Sequence, residues 1–244
     1  DSAASQINGV ASTLDSLAAL FGHEGTRNYL ILSQTNAETQ AAGGVVGSVG
    51  TLTVNNGTIS MGQFYSDSKF DLTAPVTSTD EVDKLYAISR LGVSYGGDIR
   101  LASATPIFPA AAQYAKEVWA RQSFGSNNID GVLSFDTVAL QSLLGVTGPI
   151  TLSSGKVTLT AQNTAQYLSN QVYIDITDQN AQDAFFEESA QRIINGMLSG
   201  LNAHKALSLV ATMPKLTENR HVYMWSFDKS DQKVLKKAGV VGEP

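Results

Sequence analysis

Four carboxylates stand where a sheet would release its chain. Glu38 follows the first apolar strand, Asp67 ends a hairpin, and Asp175 and Asp178 come just before a long helix. Gathered at one sheet edge, such side chains hold a hard cation such as Mg²⁺, which neutralises a pyrophosphate. Taken singly, each has a plainer role: Asp178 reads as a helix cap and Asp67 as a turn residue. Other chemistry is sparse. His23, His204 and His221 lack any metal-binding spacing, and the GxSxG, P-loop and GxGxxG patterns are absent. Ser66 and Lys69 satisfy the SxxK spacing of acyl-transfer enzymes, and Ser126-Asn127-Asn128 offers the matching SxN, but there is no KTG. The chain has no cysteine, which excludes thiol nucleophiles, thiolate metal sites and disulfides.

The elements that must position these groups follow from periodicity. Apolar residues at helical spacing predict an N-terminal helix over 3–21, so that residues 1–26 lead into one domain covering 27–244. Residues 28–32 and 45–54 read as strands, and Asn56-Gly57 as a two-residue hairpin turn into Thr58–Tyr65. Helices are expected over 79–91, from Pro109 to Gln122, from Asp136 to Leu144, from Thr160 to about Asn170, over 180–199 and from Asp228 to Lys237. Strands are expected at Asp130–Phe135 and His221–Phe227, with a small hairpin across Ser153-Ser154-Gly155. Helices alternating with strands and interrupted by hairpins predict an α/β fold, with a mixed central β-sheet sandwiched by helices.

The charge balance narrows the partners. A net charge of −6 argues against nucleic acid, which needs a concentrated basic face. Residues 201–244 nevertheless carry a net +3, against −9 for residues 1–200. That basic stretch reads as a solvated helix face at Lys229, Lys233, Lys236 and Lys237, or as a surface for a membrane or a polyanionic polymer. No apolar run approaches the ~20 residues that cross a bilayer. The limits at Asp1 and Pro244 read as those of a trimmed piece, so the anchor of the full protein is expected outside the sequence.

The segment Arg27–Gly50, with its strand, its Asn36-Ala37-Glu38 and its Gly43-Gly44, resembles the opening of an uncharacterised bacterial family of membrane-anchored surface proteins, a domain of unknown function. Phe108-Pro109, Ile129-Asp130-Gly131-Val132, Asp136, Leu140, Leu144, Gly148-Pro149, Leu159-Thr160, Asn163, Tyr173 and Trp225-Ser226 continue the likeness over about residues 27–240. More distantly, the order of elements is similar to the LytR-CpsA-Psr family, phosphotransferases that join glycopolymers to the wall of Gram-positive bacteria. Tyr95-Gly96-Gly97 and Asp67 fall at the expected places, whereas Ser66, Gln40 and Ser169-Asn170-Gln171 stand where arginines belong.

The resemblance implies a LytR-CpsA-Psr-like domain at the cell surface, membrane-anchored, that handles a polyprenyl-linked glycopolymer or cell-wall polymer. Glu38, Asp67 and Asp178 would be catalytic, with Asp67 and Asp178 holding Mg²⁺. Substrate contacts would come from Asn36, Gln40, Gly43, Gly44, Lys69, Arg90 and Arg100. An apolar slot for the lipid would be walled by Ala112, Ala115, Trp119, Leu140, Leu143 and Leu144, residues that equally describe an ordinary core. The missing arginines imply the alternative of a non-catalytic lipid- or glycan-binding scaffold.

Overall fold

The strand Arg27–Gln40 (β1) sets the architecture, because its side chains alternate between two cores. Leu30 and Leu32 enter one apolar cluster and Ile31 enters the other. A period of two sends successive residues to opposite faces, so both faces of this sheet are covered. The computed structural model describes residues 25–72, 97–153, 157–198 and 203–241. The expected helix at 3–21 and the one at 79–91, with Arg90 and Tyr95-Gly96, lie outside the described residues.

From β1 the chain turns back into Gly43–Asn55 (β2), then through Asn56-Gly57 into Thr58–Met61 (β3) and, after a three-residue break, Tyr65–Ser66 (β4). Both central residues of the Asn56-Gly57 turn have positive φ, 47° and 77°, the geometry that matches strand twist. Gly131–Phe135 (β5) lies parallel to β1, and Val222–Ser226 (β8) lies antiparallel to β5. The order is β3-β2-β1-β5-β8, with β4 beside β3 on the outer side of β2. Ile150–Thr151 (β6) and Thr158–Leu159 (β7) form the small separate hairpin. The sheet is therefore mixed, as expected.

Helix Phe108–Ala120 (α1) covers one face, burying Ala112, Ala115 and Trp119 with Leu30, Leu32 and Val132. The other face carries Thr137–Thr147 (α2), an irregular helix α3 (Thr164–Gln166, a π turn at Tyr167–Gln171, and Val172–Asp175), and the long helix Gln179–Leu198 (α4). Ala203–Glu218 (α5) precedes β8, and Lys229–Ala238 (α6) packs beside it. Pro109 opens α1, Asp136 caps α2 and Asp228 caps α6, each as the sequence indicates.

Three readings differ from the structure. Helix α5 is not expected from the sequence. The predicted strand Thr58–Tyr65 breaks at Gly62–Phe64, with Gly62 N–H bonded to Thr51 O and the Phe64 side chain buried. The first strand, expected over residues 28–32, runs well past Leu32. β1 continues to Gln40 by pushing Asn36, Ala37 and Glu38 out as a bulge, so that Thr35 pairs Val45 and Thr39 pairs Gly44.

That bulge explains the glycine pair. A Cβ on Gly44 would sit 1.8 Å from the carbonyl oxygen of Thr35, and one on Gly43 (φ +105°) would sit 2.4 Å from Gln34 Oε1. Neither position admits a side chain without moving its neighbour, and at Gly44 that neighbour is backbone. Gly44→Ala is therefore expected to destabilise the protein by roughly 2 kcal/mol or more, read as a lower urea midpoint.

Candidate functional site

The bulge opens onto a cleft of about 560 Å³. Its walls come from β1 (Ser33, Gln34, Thr35, Glu38), β2 (Val45, Gly47, Ser48), the turn after β4 (Asp67, Ser68, Phe70, Leu72) and Arg100. Helix α2 adds Thr137 and Leu140, α3 adds Leu168 and Tyr173, and α4 adds Gln179, Gln182, Asp183, Phe186, Ser189 and Ala190.

Part of the lining is carboxylates and serines. The short 3₁₀ turn Asp67–Lys69 starts at Ser66, whose hydroxyl lies 2.9 Å from that of Ser68 and accepts from Ser68 N–H. Ser68 Oγ donates to Asp183 Oδ2 at 2.6 Å, while Gln179 Nε2 donates to Asp183 Oδ1 at 3.2 Å. Arg100 is held by Asp98 at 2.7 Å and reaches Asp67 at 3.7 Å. Burial, then the nearby charge of Asp183, push the Asp67 carboxyl above its ordinary range. Arg100 and hydrogen bonds from Ser66 and Ser68 oppose this only in part.

Apolar side chains are interspersed with these along the walls. Phe70, Leu140 and Leu168 are buried, while Leu72 and Tyr173 are 48% and 36% exposed. These last two are among three large hydrophobic side chains that stand exposed among the described residues. Exposed apolar side chains lining a concavity mark a surface for an apolar ligand.

Behind the cleft a polar network fixes the bulge. Asp136 Oδ1 accepts from Val138 and Ala139 N–H, both 2.9 Å, and its Oδ2 accepts from Asn36 Nδ2 at 2.9 Å. His221 Nδ1 lies 2.7 Å from the same Oδ2. Asn36 Oδ1 in turn accepts from the Thr137 hydroxyl at 2.6 Å, and Thr137 lies 3.0 Å from the Ser169 hydroxyl.

The structure sorts the expected site residues. Glu38, Asp67, Arg100 and Leu140 meet at the cleft. Asp178 does not: its carboxylate accepts from Ala181 N–H at 2.8 Å as the cap of α4. Asp175 takes hydrogen bonds from Tyr167 and Gln171. The carboxylate that faces Asp67 is Asp183, one turn into α4, which spacing alone hid among the polar residues of a helix. Asn36 is turned inward to Asp136, and Gln40 accepts from Ser103 Oγ at 2.6 Å. Gly43 and Gly44 serve the hairpin.

Lys69 gives its ammonium to Glu187, at 2.7 and 2.9 Å. With Lys69 engaged there and Ser66 fully buried, the SxxK pair is not assembled. The lipid slot also needs correction. Ala112, Ala115 and Trp119 lie on one face of the sheet, and Leu140, Leu143 and Leu144 on the other, so β1 and β5 stand between them.

Among the described residues no three His, Cys, Asp or Glu side chains converge as a metal site. Mg²⁺, however, commonly takes one or two carboxylates and completes its shell with water and substrate phosphate. Asp67 and Asp183, two like charges with serine hydroxyls between them, fit that demand. Because the folded chain binds the Asp67 proton more tightly than the unfolded chain, ionised Asp67 opposes folding above its folded pKa. The penalty fades as pH falls through that value. Asp67→Asn is thus expected to raise Tm near neutrality, with an advantage that shrinks on acidification, as thermal melts across pH will show.

A solved structure shares this fold. A protein from Streptococcus agalactiae, gbs0355, is 12% identical, with 92% of this chain and 76% of that one covered at a TM-score of 0.51, which shows a common fold. A transcriptional regulator from Enterococcus faecalis (11% identical, 88% and 72% covered, TM-score 0.44) and TagV of B. subtilis (11%, 88% and 79%, TM-score 0.43) superpose less closely. No curated protein matches the sequence. Residues 24–173, from just before β1 to the tyrosine of the cleft, match a family described as "Protein of unknown function (DUF4012)". With more than half its length matched, the chain belongs to that family.

Proposed function

We propose that the cleft receives a polyprenyl phosphate or pyrophosphate carrying an envelope glycopolymer, and that the protein works outside the cytoplasm at the cell surface. The observation that supports this most is the meeting, in one cleft, of charged and hydroxyl-bearing side chains with exposed apolar ones. An amphiphile with a phosphate head and a hydrocarbon tail matches both kinds of side chain, and a volume of about 560 Å³ holds the head and the first tail units rather than the whole lipid.

Each residue then has a task. Asp67 and Asp183 would hold Mg²⁺, which when bound supplies positive charge to the phosphate oxygens. Arg100, pinned by Asp98, presents its guanidinium beside Asp67 to a phosphate oxygen. Phe70, Leu72, Leu140, Leu168, Tyr173 and Phe186 exclude water from the tail. For transfer, an acceptor hydroxyl oxygen would bond to the glycan-bearing phosphorus as polyprenyl phosphate leaves. Glu38, on the bulge, is the remaining carboxylate in the cleft to take the hydroxyl proton.

A second reading has its own support. Arg100 is the single Lys or Arg among the described residues that line the cleft, facing Glu38, Asp67 and Asp183. Phosphoryl transfer depends on cations that stabilise charge on the phosphate oxygens. A shortage of them favours a scaffold that binds the lipid-linked polymer without transferring it.

Equilibrium binding of undecaprenyl pyrophosphate in detergent, with and without Mg²⁺, tests the shared part. Tight binding that Mg²⁺ strengthens, that Asp183→Asn uncouples from Mg²⁺, and that Arg100→Ala weakens by about tenfold or more is the expected result. Binding indifferent to Mg²⁺ and to both substitutions would remove the assignment. Release of polyprenyl phosphate in the presence of an acceptor glycan separates transferase from scaffold.

A further inference from the structure

A second concavity, of about 570 Å³, lies away from the cleft, where α1 and α6 flank β8 at the opposite end of the sheet order. Trp225 and Phe227 form its floor and Pro109 one wall, while Lys229, Lys233 and Lys236 stand along α6. Positions 229, 233 and 236 fall on one face of a helix, so their charges act in concert over the aromatic floor. Lys116 closes the back of Phe227, with its ammonium 4.2 Å from the ring centroid, and donates to Ile129 O at 2.6 Å.

One buried group lacks a partner here. Gln232, 7% exposed, lines the groove. Its Oε1 accepts from Ser226 N–H at 2.8 Å, but its Nε2 has no hydrogen-bond partner. That nitrogen is itself enclosed by protein, so Gln232 serves the groove as part of its wall. The acidic residues nearby are engaged elsewhere. Asp231 pairs with Arg27 at 2.9 Å, and the Asp228 carboxylate caps α6.

We propose that this groove binds an acidic saccharide, a sugar unit whose apolar ring face lies on Trp225 and whose carboxylate or phosphate is met by Lys229, Lys233 and Lys236. The floor demands an apolar face and the lysines a negative charge. A sugar acid offers both in one residue. A lipid surface would satisfy the lysines, but a flat headgroup plane does not enter a concavity to cover Trp225. The site is independent of the cleft and stands whether or not the cleft is catalytic.

The test is an NMR titration of the protein, monitoring the Trp225 indole and Gln232 amide signals. The probes are a galacturonic acid trisaccharide, neutral maltotriose at equal concentration, and phosphatidylglycerol vesicles. Saturable shifts with the acidic trisaccharide alone are expected, weakening with added salt and falling by about tenfold or more in affinity for Lys229→Glu/Lys233→Glu. Both lysines are exposed, and Lys229→Gln/Lys233→Gln serves as the milder second variant with a smaller loss. Equal shifts with maltotriose, vesicle binding that the trisaccharide does not displace, or unmoved Trp225 and Gln232 signals would each overturn the proposal.

Discussion

The carboxylate of Asp136, 1% exposed, is the point at which three distant parts of the chain are tied together. Removing an ionised carboxylate from water costs several kcal/mol, and the cost is offset only where hydrogen-bond donors surround it. Here two donors are backbone N–H groups of the first turn of α2, a third is the amide of Asn36, and the fourth is the ring of His221. The positive end of the α2 dipole adds to them. The four donors come from three parts of the architecture: the helix behind the cleft, the bulge that shapes its rim, and the residue just before β8. The protein cannot shift the bulge without leaving either Asp136 or Asn36 with an unmet bond in the interior. The position of Glu38, two residues on, is inherited from that constraint.

The electrostatics of the cleft run against the rest of the fold. Elsewhere charged groups are neutralised locally, as with Arg27 and Asp231 or Lys69 and Glu187. At the cleft, burial and then the charge of Asp183 raise the pKa of Asp67, and the one nearby guanidinium is shared with Asp98. A site with surplus negative charge and exposed hydrocarbon is poorly satisfied by water alone, which is the usual state of a surface kept for a ligand.

Much of the frame is legible in the residues. Asn56-Gly57 announces its turn because two successive positive φ values admit few other pairs, and Asp136, Asp228 and Pro109 mark helix starts by local chemistry. What depends on distant contacts is not legible. The strand after Leu32 looks like a loop because Asn36 and Glu38 break the apolar pattern, and only the partner strand reveals them as a bulge. Asp183 is indistinguishable from any solvated helix residue until Ser68, far away in sequence, is found against it. Helical periodicity shows that Ala112, Trp119, Leu140 and Leu144 are buried. It carries no information on which face of the sheet each one covers, so one imagined slot became two cores.

The parallel pairing of β1 with β5 has a consequence for how the protein comes into being. Tyr29 lies opposite Gly131, and β8 joins from still later, with Gly131 opposite Ser226. A ribosome emits the chain from its N-terminus, so the β1–β2 hairpin exists for some time with the far edge of its most apolar strand unpaired. Closure over such spans is slow compared with hairpin formation. During that interval the row Tyr29–Leu32 offers free backbone donors and acceptors to any passing strand, including the same segment of a second nascent chain. The centre of the finished sheet is therefore an open edge of the unfinished one until residue 135 has emerged.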